Sequence, residues 1–233
     1  MEGSNGGHTH LISQAISEIN AIFYEMGFVT MSGPEAELEK YNFDDLNIPK
    51  DHPSRDMWDT FWLKDGRLLR THTSPVQVRY MEKYGAPARI IVPGKTYRHE
   101  ATDATHESEF YQLEGLAVDE HITLGHLKWT LETFLSKFFG RTAEIRFRPS
   151  YFPFVEPGVE VDVKYTGAGE SRWLELLGAG MVHPHVLKHA GIDAKTYQGF
   201  AFGVGIERLL LARHKIDDIR RFHSGDLRFI NQF

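Results

Sequence analysis

Apolar residues recur at helical spacing between His10 and Gly27. Leu11, Ile12, Ala15, Ile16, Ile19, Ile22, Phe23 and Met26 fall on one face, and Gly27 supplies a stop. The pattern predicts an amphipathic helix there. Phe28 to Met31 reads as a short strand closed by Gly33-Pro34. Glu35 to Leu46 reads as helical, and Lys50 to Asp59 as a polar loop. Thr60 to Leu63 and Arg67 to Thr71 flank Asp65-Gly66, a hairpin signature. Ser74-Pro75 then places a cap and a first-turn proline ahead of a helix. Arg89 to Val92, Lys95 to Glu100 and Glu109 to Val118 read as strands. Thr123 caps a long amphipathic helix that Gly140 ends. Glu144 to Arg148, Val159 to Tyr165 and Trp173 to Leu177 are predicted strands, and Pro184 to Ala190 a short helix. Tyr197 to Phe202 is the last strand, after which Gly203-Val204-Gly205 bends into a helix through His214.

Strict strand–helix alternation is absent, which disfavours a parallel, doubly wound sheet. The pattern predicts an α+β domain, an antiparallel sheet flanked by helices. Residues 1–10, rich in Gly, Ser and His, are expected to be a flexible segment, and residues 11–233 one catalytic domain. At 233 residues the chain can bury its own core. It has no cysteine, so disulfides, thiolate catalysis and thiolate zinc sites are excluded. No apolar run reaches the roughly 18 residues a membrane helix needs, and no signal peptide opens the sequence. The expectation is a cytoplasmic chain without a membrane partner. The net charge of −6 argues against strong autonomous binding to nucleic acid.

Polar chemistry concentrates on YRHEATDATHESEFYQLEG, Tyr97 to Gly115. Arg98 is a donor fork suited to phosphate, and Glu100, two residues on, faces the same side. Phe110, Gln112 and Glu114 share one face of the returning strand, a wall able to stack a base and grip an amino group. His106 lies in the turn. A solvated hairpin with surface ion pairs fits this pattern equally well. In GFAFGVGIER a glycine-rich stretch precedes Glu207 and Arg208; the Gly-Lys-Ser/Thr ending of a phosphate loop is missing. In RPSYFPFVEPG, Phe152 and Phe154 alternate and fill either core or an aromatic pocket, and Glu156 is an oxygen ligand for Mg²⁺ or merely solvated. In LLRTHTSPVQ, His72, Ser74 and Gln77 cluster where a strand meets a helix. No nucleophile–base–orienter set is recognisable.

These segments, with MGFVTMSGPEAE, NFDDLNIPKDHPSRDMWDTFW, WLELLGAGMVHP and DLRFINQF, resemble a class II aminoacyl-tRNA synthetase. More narrowly, the chain resembles the catalytic part of bacterial-type phenylalanyl-tRNA synthetase α subunits from about Ile16 to Phe233. The resemblance implies a ligase that activates L-phenylalanine with ATP and, with tRNA(Phe) and a β subunit, charges the tRNA. It implies Arg98 on the α-phosphate, Glu100 near the adenine end, His106 on a phosphate, Phe110 stacked on adenine, and Glu207-Arg208 as the motif that clamps the distal phosphates. Arg98 and Arg208 are the catalytic cations. His72, Ser74, Gln77, Gln112 and Glu114 would line the amino-acid site, Phe152, Phe154 and Ala201 would wall the phenyl ring, and Glu156 would be a Mg²⁺ ligand. Gly27 to Pro34 would pack at a subunit interface, and a homodimer is expected for the chain alone. The family's N-terminal tRNA-binding arm and a C-terminal anticodon module have no counterpart in the sequence, which raises the expectation of a minimal or truncated form competent in activation. A non-charging module that binds phenylalanine or nucleotide is the alternative.

Overall fold

The computed structural model describes residues 7–56, 59–104, 106–140, 143–166 and 171–233. Residues 1–6 of the expected flexible segment, and Met57 and Trp58 of the polar loop, lie outside the described residues. The element order is α1 (Leu11–Glu25), β1 (Val29–Thr30), β2 (Ala36–Glu37), α2 (Glu39–Asn42), β3 (Leu68–Leu69), α3 (Pro75–Tyr84), β4 (Ala88–Tyr97) and β5 (Glu109–Asp119). Then follow α4 (Leu124–Phe139), β6 (Ile145–Phe152), β7 (Val155–Thr166), β8 (Ser171–Val182), α5 (Pro184–His189), β9 (Gln198–Gly205), α6 (Ile206–His214) and α7 (Leu227–Ile230). Among the described residues, no helix is long and apolar enough to cross a membrane.

One seven-stranded sheet carries the molecule, in the order β1-β4-β5-β9-β8-β7-β6. All its pairings are antiparallel except β1 with β4. Side chains alternate across a strand, so β5 feeds two cores. Leu113 and Ala117 enter one, with Phe23 of α1, Phe134 of α4 and Leu209 of α6. Leu116 and Val118 enter the other, with Val76 and Met81 of α3 and Val186 of α5. Gln112 and Glu114 continue this second face by the same alternation, where only the first turn of α3 reaches them. That half of the sheet is left open.

The helices follow their sequence signals. In α4, Thr123 and His126 form a capping box, and Gly140 ends the helix in the left-handed region at φ 65°. In α1 the cap is His10, whose Nδ1 accepts from the Ile12 amide.

Several expectations are corrected. Residues 35–46 are not one helix: Ala36–Glu37 pair with Leu68–Leu69, α2 is a single turn, and Asp44–Leu46 form a 3₁₀ turn. The cause is tertiary, since Glu37 is fully buried against Arg79, with Nη2 to Oε1 at 2.5 Å. The Asp65-Gly66 turn forms, with Leu63 N donating to Arg67 O at 2.8 Å. Its returning arm nonetheless pairs chiefly with β2. The two strands expected at 89–92 and 95–100 are one strand through Pro93-Gly94. Pro93 is tolerated because β1 pairs only with Ile90 and Ile91, so no second ladder needs its missing N–H. Gly203-Val204-Gly205 is likewise strand rather than bend.

Candidate active site

The open face holds a cleft with two lobes, of about 580 Å³ and about 940 Å³. Arg98, Glu100, Gln112, Phe152, Gly178 and Gly203 line both, so the lobes meet at those residues. Two glycines make the junction possible. A Cβ at Gly178 would lie 2.9 Å from the Phe152 ring, and one at Gly203 would lie 2.9 Å from Gln112 Nε2.

The smaller lobe is walled by Phe152 and Phe154, whose rings stack 5.9 Å apart at 23°, with Ala201 and Val186 at its back. Its polar end is built from two elements. β5 brings Gln112 and Glu114; the start of α3 brings His72, Ser74 and Gln77. Ser74 is at the cap position, but its side chain makes no capping bond. Instead Ser74 Oγ donates to Glu114 Oε2, as does Gln77 Nε2 at 3.0 Å. Burial pushes the Glu114 carboxyl up to about 7, against the opposing pull of Ser74 and Arg98. Burial, aided by the nearby Arg98 charge, pushes His72 down to about 3, so the ring is neutral. Among the described residues, neither His72 nitrogen meets hydrogen-bond geometry with a protein partner, nor does Gln112 Oε1. Buried polar atoms without partners are costly, so three donors or acceptors stand ready for a ligand.

The larger lobe is more open and more charged. Phe110, His106, Glu107, Arg208 and Lys215 line it, with Glu160 and Glu175 on the β7–β8 side. The Arg98 guanidinium lies 5.0 Å from the centre of the Phe110 ring, and its Nε donates to Thr71 O at 3.1 Å. Burial and the field of Arg208 both disfavour its charge, while Glu100 and Glu114 favour it. The two cations therefore act on one cleft. His106 is held by Asp103, whose Oδ1 accepts from the His106 amide at 2.8 Å. Glu207, only 1% exposed, turns inward, and both its oxygens accept from Tyr111 N, at 2.8 and 3.0 Å.

Of the residues singled out in the sequence, the cleft gathers all but one: Glu156 lines neither lobe. Its exposed side chain faces His183 Nε2 at 3.3 Å. Among the described residues, no three His, Asp or Glu side chains converge as a metal site. Contributors that the sequence reading missed are buried arginines. Arg70 reaches the carbonyls of Lys95 and Gly33, at 2.7 and 3.1 Å, through space left by Gly94. Arg55 ties Glu39, Asp44 and the Ile48 carbonyl together, holding the segment that brings Leu46, Ile48, His52 and Ser54 to the smaller lobe. A guanidinium directly after two leucines, as in LLRTHT, was the available signal for Arg70.

The family described as tRNA synthetases class II core domain (F) matches residues 1–233. A phenylalanine–tRNA ligase alpha subunit from an Exiguobacterium species is 54% identical over 99% of this chain and 70% of its own length. Subunits of the same name from Alkaliphilus metalliredigens and a Synechocystis species are 55% and 51% identical, each over 97% of this chain and over 69% and 67% of their own lengths. Among solved structures, pyrrolysyl-tRNA synthetase from Desulfitobacterium hafniense matches at TM-score 0.74 and 22% identity, over 95% of this chain and 76% of its own. That likeness concerns the fold.

Proposed function

The chain belongs to the class II tRNA synthetase core family, among the phenylalanine–tRNA ligase alpha subunits, and from that premise we propose that the smaller lobe takes L-phenylalanine and the larger lobe ATP. The reaction joins the amino acid's carboxylate to the α-phosphate and expels pyrophosphate; transfer of the acyl group to tRNA(Phe) follows. The attacking carboxylate is already ionised, so no general base is required. The work is alignment and neutralisation of charge.

One observation carries the reading: Arg98 stands where the lobes meet, between the stacked rings of Phe152 and Phe154 on one side and Phe110 and Arg208 on the other. An α-phosphate at Arg98 would face a carboxylate arriving from the smaller lobe. Phe110 would stack the adenine, Glu100 would lie at its end, and His106 and Arg208 would hold phosphates. Glu114, Gln112, Ser74, Gln77 and His72 would receive the ammonium and carboxylate, and Ala201 would limit the depth available to the ring. Glu207 would serve the ATP side from the wall of the larger lobe, where it also holds Tyr111 N.

Among the described residues no three His, Asp or Glu side chains converge, but Mg²⁺ needs only one or two carboxylates beside substrate phosphates; Glu156 would be such a ligand, shared with a beta subunit, and no step is routed through the ion. A divalent ion would arrive as part of the nucleotide substrate. The alpha-subunit relatives lead us to read a beta subunit and tRNA(Phe) as partners. For the chain alone we expect a homodimer, with exposed Tyr24 and Val29 at the seam; light scattering decides this. The rival reading, a non-charging binding module, is not favoured by relatives that are ligases.

Phenylalanine-dependent exchange of pyrophosphate into ATP tests the proposal, with the chain alone and with a beta subunit. Exchange in either case is the expected result. Its absence in both, with ATP and phenylalanine each still bound, would leave the binding-module reading instead.

A further inference from the structure

Residues 216–223 close the far wall of the larger lobe, where Ile216, Asp217 and Ile219 line it. This segment is fastened on several sides. Ile219 N donates to Ala104 O at 3.0 Å, in the loop that carries His106. Phe222, buried, meets Phe229 edge-on at 5.8 Å, and its carbonyl lies 3.1 Å from His10 Nε2. His223 then ends the 3₁₀ turn Ile219–Phe222 and places Nε2 3.4 Å from Glu207 Oε1.

Glu207 occupies an unusual place in the sheet. β9 pairs with β5 as far as Gly205 opposite Gln112, and the chain then leaves the sheet for α6. Past Gln112, no strand among the described residues pairs with β5 on that side. The Glu207 carboxylate supplies the acceptors that a continuing strand would have given, and Tyr111 N donates to both. Tyr111 follows Phe110, and Glu207 precedes Arg208. One carboxylate therefore ties the strand that carries the ring to the helix that carries the guanidinium, and both groups line the lobe.

We propose that His223 is a positioning residue for nucleotide binding: by holding Glu207 against Tyr111 N, it fixes Phe110 relative to Arg208. This rests on the reading of the larger lobe as the ATP site. Three carboxylates act on His223: Glu207 from α6, Glu107 from the loop before β5 and Glu109 from the start of β5. Glu207 above all raises its pKa, against burial. The imidazolium–carboxylate pair is thus present at low pH and weakens to a neutral contact as pH rises through the raised pKa.

Calorimetric titration of the chain with ATP, at pH 6.5 and at pH 8.5, tests this. For the natural protein, ATP affinity is expected to fall about threefold or more over that span. His223→Gln keeps a donor that does not titrate, so its affinity is expected to be flat with pH and near the high-pH value of the natural protein. His223→Ala is expected to bind ATP about tenfold more weakly at pH 6.5, the size of one charge-assisted hydrogen bond. Phenylalanine affinity should change by less than about twofold in both variants, which general unfolding would not permit. A His223→Gln variant with the natural pH slope overturns the proposal, as does equal loss of phenylalanine and ATP binding. If no form of the chain binds ATP, the nucleotide reading itself falls. The bridge is then judged by hydrogen exchange at the Tyr111 amide: faster exchange in His223→Ala sustains it, and an unchanged rate overturns it.

Discussion

The two lobes of the cleft solve opposite problems with neighbouring residues of the same strand. In the smaller lobe, Glu114 and Gln112 are buried, and they are aimed by contacts between regular elements: a strand, the head of a helix and two stacked rings. In the larger lobe, Phe110, His106 and Arg208 come from a strand end, a loop and a helix start, and they face a wide, wetter space. A small substrate with one ring must be told apart from its neighbours in size, which needs fixed walls. A nucleotide offers several charges and a flat base, which dispersed cations and one ring can hold without enclosing it. Arg98 belongs to both designs.

Removing that shared group should break the contrast most severely. Arg98→Ala is expected to lower kcat/KM for pyrophosphate exchange by about a thousandfold, on the order of 4 kcal/mol. Arg98→Lys should recover little, because a point charge cannot replace a fork that also donates to Thr71 O. A loss under about tenfold would mean that the lobes work independently.

Glu114→Gln sharpens the contrast, because it should trade function for stability within the buried lobe. The variant should raise KM for phenylalanine about a hundredfold through the lost pairing with the ammonium group, an effect on the order of 3 kcal/mol. A carboxyl raised to about 7 keeps its proton in the folded chain after the unfolded chain has lost it. That group favours the fold at low pH, and the advantage is lost as pH rises from the usual carboxylate range through about 7. At pH 8 the ionised, ligand-free site therefore costs stability. Glu114→Gln should recover on the order of 2–3 kcal/mol there, read by denaturant unfolding. In the natural protein, KM for phenylalanine should climb as pH falls below about 7. A KM flat from pH 6 to 8 would contradict the assignment of Glu114 to the ammonium.

Gly178→Ala probes the wall between the lobes. Its Cβ would press on the far end of the Phe152 ring at 2.9 Å. We expect KM for phenylalanine to rise about tenfold with KM for ATP less changed, a cost on the order of 1–2 kcal/mol from overpacking. The smallest effect belongs to the back of the smaller lobe. Ala201→Gly should admit para-substituted phenylalanines that the natural protein refuses, with a relative gain of about tenfold for one small group. Unchanged exchange rates with such analogues would remove Ala201 from the ring pocket.

Much of this was legible in the chain. Gln112 and Glu114, two polar residues in register with Phe110 on an otherwise apolar strand, marked a face that was either a binding wall or a solvated surface. The helices at α1 and α4 wrote their own starts and stops. What stayed hidden depended on partners far along the sequence. Nothing local says that Ser74 spends its hydroxyl on Glu114 rather than on the helix it opens. Nor does anything local say that Ala36–Glu37 would rather pair with Leu68–Leu69 than wind into a helix. Glu207 and His223 meet only because a strand stops and a later turn folds back. Glu156, a ligand only by resemblance, faces His183 and lines neither lobe.

The strand order also governs how the cleft comes into being. β4 and β5 are consecutive in the chain and pair directly, whereas the next neighbour of β5 is β9, roughly ninety residues later. Until β9 arrives, β5 presents a bare edge during synthesis, and Arg98 and Arg208 have no common geometry. We predict that refolding followed by pulsed hydrogen exchange will protect the amides shared by β4 and β5 well before those shared by β5 and β9. Because β9 and α6 also carry Phe202 and Leu209 into the core beneath the sheet, the binding site and that hydrophobic layer are completed in the same late step.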